Sequence, residues 1–140
     1  MLKLNHNSLR RIQLHAMRTY PEECCGVLLG KDEGNARVVH SVVELRNQND
    51  ANRERRFLVT PEDYRQAEEH AQREGIEILG FYHSHPDHPA APSQFDLEHA
   101  LPNWSYVIIS VDDGVPGAMT SWSLQHDRSH FEQEKIDAYH

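Results

Sequence analysis

IEILGFYHSH, residues 76 to 85, constrains this chain more than any other stretch. It is apolar on both faces for most of its length, the pattern of a central strand covered on each side. The run then stops spending residues on core. HSHPDHPAAPSQFD, 83 to 96, places three histidines, three prolines and two aspartates in fourteen positions. Side chains two apart on a strand point to the same face, so His83 and His85 can converge on one point. Pro86 ends the ladder because it has no N–H. Pro86, Pro89 and Pro92 stiffen the crossing by narrowing the conformations open to it. Ser93 then reads as a helix cap, with Asp96 one turn inside and within reach of the histidines.

Two neutral imidazole nitrogens and one carboxylate form a three-ligand set that leaves a fourth tetrahedral position for water, as in catalytic zinc sites. Other divalent ions accept such donors, and zinc suits the mixture best. A lone H-x-H is a weak signal in a chain with 11 histidines. Strand, rigid loop, cap and acid in one order are what single out this segment. A hydrolytic site also needs a base near the water. Glu22 and Glu23, just ahead of the apolar run CGVLLG, are both candidates, and spacing does not choose between them.

The rest of the chain reads as a mixed sheet with helices beside it. Asn7-Ser8 caps an amphipathic helix that Pro21 terminates. CGVLLG (25 to 30), ARVVHSVVELRN (36 to 47) and RRFLVT (55 to 60) read as strands. Thr60-Pro61-Glu62-Asp63 starts a second helix that stops at Gly75. SQFDLEHAL, 93 to 101, is a third helix. SYVIISVD (105 to 112) and AMTSWSLQH (118 to 126) are two more strands, and FEQEKIDAY suggests a last short helix.

At 140 residues, with no internal repeat, the chain fits one domain over 1–140. A formal charge of −8 opposes binding to nucleic acid, and the one basic cluster, NRERR at 52 to 56, is interrupted by Glu54. The adjacent Cys24 and Cys25 cannot form a disulfide framework. MLKLNHNSLRRIQLH lacks the apolar stretch of a leader peptide. No apolar run approaches the ~18 residues of a membrane span. These features predict a soluble cytoplasmic protein.

His83-Ser84-His85-Pro86, six residues, then Ser93-Gln94-Phe95-Asp96 resembles the JAMM motif of the MPN+ metalloproteases, H-[ST]-H-P-x6-S-x-x-D, without departure in type or spacing. Glu23-Cys24-Cys25-Gly26 resembles the family's E-x-[CM]-G at a strand opening, which selects Glu23 over Glu22. PEECCGVLLG, RRFLVTPED and SYVIISVDD also fall in the family's order, and the compact chain looks like its stand-alone prokaryotic branch. The resemblance implies an α/β, single-domain, cytidine-deaminase-like mixed β-sheet flanked by helices. It implies one zinc per chain on His83, His85 and Asp96, Glu23 as general base, and Ser93 as oxyanion donor. The implied reaction is amide or isopeptide hydrolysis. For the prokaryotic relatives, the implied partner is a ubiquitin-like sulfur-carrier protein cleaved after its Gly-Gly tail.

Two alternatives accompany this reading. One is a non-catalytic MPN scaffold that has lost its metal. The other is a RadC-like protein linked to DNA maintenance, which the one-residue-longer gap of that branch and the acidic charge oppose. A deaminase would need a P-C-x-x-C segment, which the sequence lacks. Cys25 is expected to pack, since a catalytic thiol paired with His83 or His85 would leave Asp96 without a role. The loop 46 to 56 is expected to flank the cleft and touch a partner. Unchanged carrier cleavage after Arg53, Arg55 and Arg56 were replaced by Ala would sink that expectation.

Overall fold

The computed structural model describes residues 1–46, 60–125 and 127–139. Its elements run β1 (Leu2–Asn5), α1 (His6–Thr19), β2 (Cys25–Asp32), β3 (Arg37–Leu45), α2 (Pro61–Glu74) and β4 (Glu77–Pro86). They continue α3 (Gln94–His99), β5 (Ser105–Asp112), β6 (Val115–Leu124), β7 (Phe131–Glu134) and β8 (Ile136–Tyr139). Among the described residues, the eight strands join one sheet in the order β7-β6-β5-β4-β2-β3-β1-β8. The expected mixed sheet with flanking helices is the observed one. The apolar run is indeed central: β4 pairs antiparallel with β2 and parallel with β5, and every residue from Leu79 to Pro86 is buried.

Two apolar clusters cover the sheet. One gathers Leu4, Ile12, Ala16, Leu28, Tyr82 and Ile109 beneath α1. The other gathers Val27, Leu29, Ala67, Ala71, Phe81 and Tyr106 beneath α2. The phase of β4 between them is set by a bulge. Leu28 pairs with Gly80 and Leu29 with Ile78, so Leu79 has no opposite residue on β2. The extra residue sends Leu79 into the α1 cluster while Phe81, two positions on, joins the α2 cluster. His83 and His85 inherit the phase of Phe81.

Local signals explain the helices. Thr60 caps α2 in a reciprocal capping box with Asp63, Pro61 occupies the first turn, and Gly75 closes the helix at φ 69°. Ser93 and Asp96 form a second capping box on α3. The first helix differs from expectation. Asn5, not Asn7 or Ser8, is its cap, accepting from the Ser8 N–H at 2.8 Å, while Ser8 is buried.

FEQEKIDAY is not a helix. It forms β7 and β8, which lie at opposite ends of the strand order though only Lys135 separates them. The chain thereby draws the two sheet edges together, and the Leu2 N–H donates to the Lys135 carbonyl at 2.8 Å. Long-range pairing with β6 and β1 overrides the local helical pattern. The expected strand at 55 to 60, apart from Thr60, and the basic cluster at 52 to 56 lie outside the described residues. Among those residues, no helix is long and apolar enough to cross a membrane.

The backbone at Gly80 passes so close to β5 that an added Cβ would lie 1.8 Å from the Ser105 carbonyl oxygen. No side-chain rotation relieves a clash with backbone. Gly80→Ala is therefore expected to lower the unfolding free energy by about 1–3 kcal/mol or more. An unchanged midpoint in denaturant would contradict the close approach.

Candidate metal centre

The end of β4 delivers two imidazoles to one place. The Nε2 atoms of His83 and His85 are 3.1 Å apart. Asp96, inside the first turn of α3, places Oδ1 3.2 Å from His83 Nε2 and Oδ2 3.2 Å from His85 Nε2. Its position follows from the capping box: the Ser93 N–H donates to Asp96 Oδ2 at 2.8 Å, and the Asp96 N–H donates to Ser93 Oγ at 3.1 Å. The same two residues that start the helix thus aim the carboxylate. The proline-rich crossing contributes directly as well, because His85 Nδ1 lies 2.9 Å from the Pro89 carbonyl oxygen. A carbonyl can only accept, so Nδ1 carries the proton and Nε2 presents a lone pair.

That tautomer makes the cluster rich in acceptors. With Nδ1 turned to Pro89, His85 Nε2 faces His83 Nε2 and a carboxylate oxygen, an arrangement that a cation or a proton at its centre satisfies. Burial holds the His83 imidazole below its ordinary pKa, against the opposing pull of Asp96. For Asp96, burial alone would raise the pKa. The adjacent His83 and His85 and the Ser93 N–H outweigh it and hold the carboxyl far below the usual range. Four zinc ligands at about 2.0–2.2 Å in a tetrahedron stand about 3.3–3.6 Å from one another. The separations of 3.1–3.2 Å among His83, His85 and Asp96 are close to that. The donor set, its charge and its spacing therefore fit a divalent ion.

Glu23 joins this group and Glu22 does not. Glu23 is 2 % exposed, and its carboxylate, His83 and His85 each present a ligand-type atom within 4.8 Å of the other two. Glu22 faces solvent. The donor cluster has two carboxylates near the same nitrogens, with Asp96 at 3.2 Å and Glu23 inside the 4.8 Å limit. Glu23, His85 and Ser93 line an open cleft of about 460 Å³, beside Pro86, His88 and Gln94. Ser93 is exposed there, and because its Oγ already accepts from Asp96, its own hydrogen is left to donate. An aromatic cavity of about 480 Å³, including Phe81, Trp104 and Tyr106, lies against His83 and Asp96.

Of the five residues singled out in the sequence, Glu23, His85 and Ser93 line the cleft, and His83 and Asp96 meet them from the adjoining aromatic cavity. The cysteines line neither. Both are buried and free, and Cys25 sits opposite His83 in the β2–β4 pairing with its thiol 3.9 Å from the Leu45 carbonyl oxygen. Burial pushes the Cys24 thiol up to about 11 and raises Cys25 as well. Neither is a nucleophile at neutral pH. Sequence reading missed Tyr20, Ser84 and Asp87, which tie the Glu23 loop to the histidine segment. Ser84 carried a signal, since the residue between two same-face histidines must point to the opposite face.

Residues 6–125 match the family described as prokaryotic homologs of the JAB domain, and the chain belongs to that family. It is 33 % identical over 104 residues to a probable TtuB-protein conjugate cleaving protease of Thermus thermophilus, covering 74 % of this chain and 66 % of that protein. It is also 33 % identical over 102 residues to a desampylase of Pyrococcus furiosus, covering 73 % and 66 %. The chain thus spans just under two thirds of these relatives. Among solved structures, a protein from Desulfitobacterium hafniense is similar with a TM-score of 0.87 and 30 % identity over 99 % of this chain and 92 % of that one. A JAB1/MPN domain protein from Archaeoglobus fulgidus shares the fold, with a TM-score of 0.62 and 17 % identity over 99 % of each chain.

The buried, high-pKa thiols are expected to resist a thiol-specific reagent at pH 8 in the folded protein and to react when it is unfolded in denaturant. Stoichiometric labelling of the native protein on mixing would contradict this placement.

Proposed function

We propose that the protein is a zinc-dependent isopeptidase of one domain, 1–140, that cleaves after the C-terminal Gly-Gly of ubiquitin-like sulfur-carrier proteins. The observation that carries this reading is the convergence of His83 Nε2, His85 Nε2 and the Asp96 carboxylate at 3.1–3.2 Å, with Glu23 buried beside them. His83, His85 and Asp96 would hold one zinc. When bound, such an ion polarises a carbonyl and lowers the pKa of a water towards ~7.

The remaining roles belong to the chain. Glu23 accepts a proton from the attacking water and returns it to the departing amine, so that carbon–nitrogen cleavage releases a neutral amine. Its burial keeps bulk water from competing for that proton. Ser93 donates its hydroxyl hydrogen to the oxygen that gains charge as the carbonyl is attacked. His85 keeps its tautomer through Pro89, and Asp96 is held ionised by its neighbours. A diglycine tail has no side chains and can enter a cleft bounded by Pro86, His88 and Gln94. The names of the two relatives, a probable conjugate cleaving protease and a desampylase, support this substrate class. The free thiols suit a reducing cytoplasm. The scaffold alternative gains nothing from the geometry, because His83, His85, Asp96 and Glu23 cluster together with Ser93 beside them.

Glu23→Gln is expected to retain zinc and lose at least about 100-fold in turnover of a carrier–lysine conjugate. His83→Ala is expected to lose both zinc and turnover. Turnover by Glu23→Gln near the wild-type rate would remove Glu23 as the base. Ser93→Ala should lower kcat about 100-fold with little change in KM. A variant that chiefly raised KM would count against the oxyanion role.

A further inference from the structure

Glu23 lies in the short connection between α1 and β2, a type of segment with little internal constraint. A base, by contrast, must be held to within about 0.5 Å of its productive place. The connection is tied down on both sides of Glu23. Upstream, the Tyr20 hydroxyl donates to Asp87 Oδ2 at 2.6 Å. Downstream, the Cys24 N–H donates to Ser84 Oγ at 2.8 Å, and the Ser84 N–H donates to the Cys24 carbonyl at 3.2 Å. Both anchors belong to the histidine segment itself. Ser84 stands between His83 and His85 and is fully buried, and Asp87 follows His85 by two residues.

Asp87 is secured in turn. Its N–H donates to the Val111 carbonyl at 2.7 Å, and its Oδ1 accepts from the Asp113 N–H at 2.8 Å. One carboxylate therefore joins the turn after β4, the β5–β6 turn and the loop that carries Glu23. Its backbone is left-handed at φ 58°, a conformation that glycine would adopt more readily. The side chain faces solvent outside the cleft lining, so its contribution runs through these bonds and not through contact with substrate.

We propose that Asp87 and Ser84 are positioning residues, clamping the Glu23 connection through Tyr20 and Cys24 so that the carboxylate is fixed relative to His83 and His85. The proposal rests on the reading of Glu23 as the base. Loss of either tie lets the carboxylate move while the histidines and Asp96 stay in place. A misplacement of about 1 Å at a reacting group costs about 100-fold in rate.

The test compares Asp87→Gly, Tyr20→Phe and their combination, all in the full chain. Asp87→Gly suits the left-handed backbone, so the fold should persist. The probe is a ubiquitin-fold carrier whose terminal Gly-Gly is joined to the ε-amine of a fluorescent lysine peptide. Each single variant should keep its zinc content and its KM and lose about 10- to 100-fold in kcat. The double variant should be no slower than the worse single one, because both remove the same bond. Ser84→Ala should behave likewise, with Ser84→Thr restoring the rate by restoring the hydroxyl. A crystal structure of Asp87→Gly reads the same point without turnover: Glu23 should be displaced relative to His83 and His85.

Wild-type kcat in both single variants, additive losses, loss of zinc, or Glu23 unmoved in the crystal would overturn the proposal. Failure of the underlying reading looks different. In that case Glu23→Gln itself turns over at the wild-type rate, whatever Asp87→Gly does.

Discussion

The structure depends on one strand being buried on both faces. β4 lies between β2 and β5 with apolar clusters above and below, which leaves its last residues no exposed face on which to place polar groups. Yet those residues include two imidazoles and a hydroxyl. A buried polar group is tolerated only with partners, and every solution visible around β4 is a partner supplied locally. Ser84 is satisfied by the backbone of Cys24 on the α1 side, and His85 by the Pro89 carbonyl on the other. What remains is the Nε2 pair and the carboxylate of Asp96, three acceptor-rich groups that only a cation or a proton reconciles. The capacity of this cluster to hold a cation is thus a consequence of where the strand runs.

Phase matters as much as burial. The bulge at Leu79 and Gly80 shifts the strand by one residue, and without it His83 and His85 would face the α1 cluster. There they would meet Leu4, Ile12 and Leu28 in place of α3 and its capping aspartate. Gly80 permits the bulge because its backbone passes against Ser105 with no room for a side chain. A residue several positions from the chemistry therefore decides which face of the sheet holds it. Ser93 and Asp96 show the same economy on the other side, since the bonds that begin α3 are those that orient the carboxylate.

Much of this was legible in the chain. IEILGFYHSH read as a central strand because apolar residues occupy both phases, and Thr60-Pro61-Glu62-Asp63 read as a helix start because each residue serves its position. The site was legible for the same reason: histidines at i and i+2, then a capping serine and an acid three residues on, are local geometry. What stayed hidden was set by distant partners. FEQEKIDAY has no local reason to be two strands, and becomes so only because β6 and β1 offer edges to it. Tyr20 and Asp87 are 67 positions apart, and neither carries a pattern that announces the other. The choice between Glu22 and Glu23 rested on likeness to a family, and burial of the second supplies the physical reason.

The measurement that tests the account most directly is the metal content of protein purified without a metal-affinity step, determined by elemental analysis beside His85→Ala. The account predicts about one zinc per wild-type chain and its loss in the variant. Wild-type protein that holds no zinc, even after incubation with zinc at neutral pH, would contradict it and leave the scaffold reading in its place.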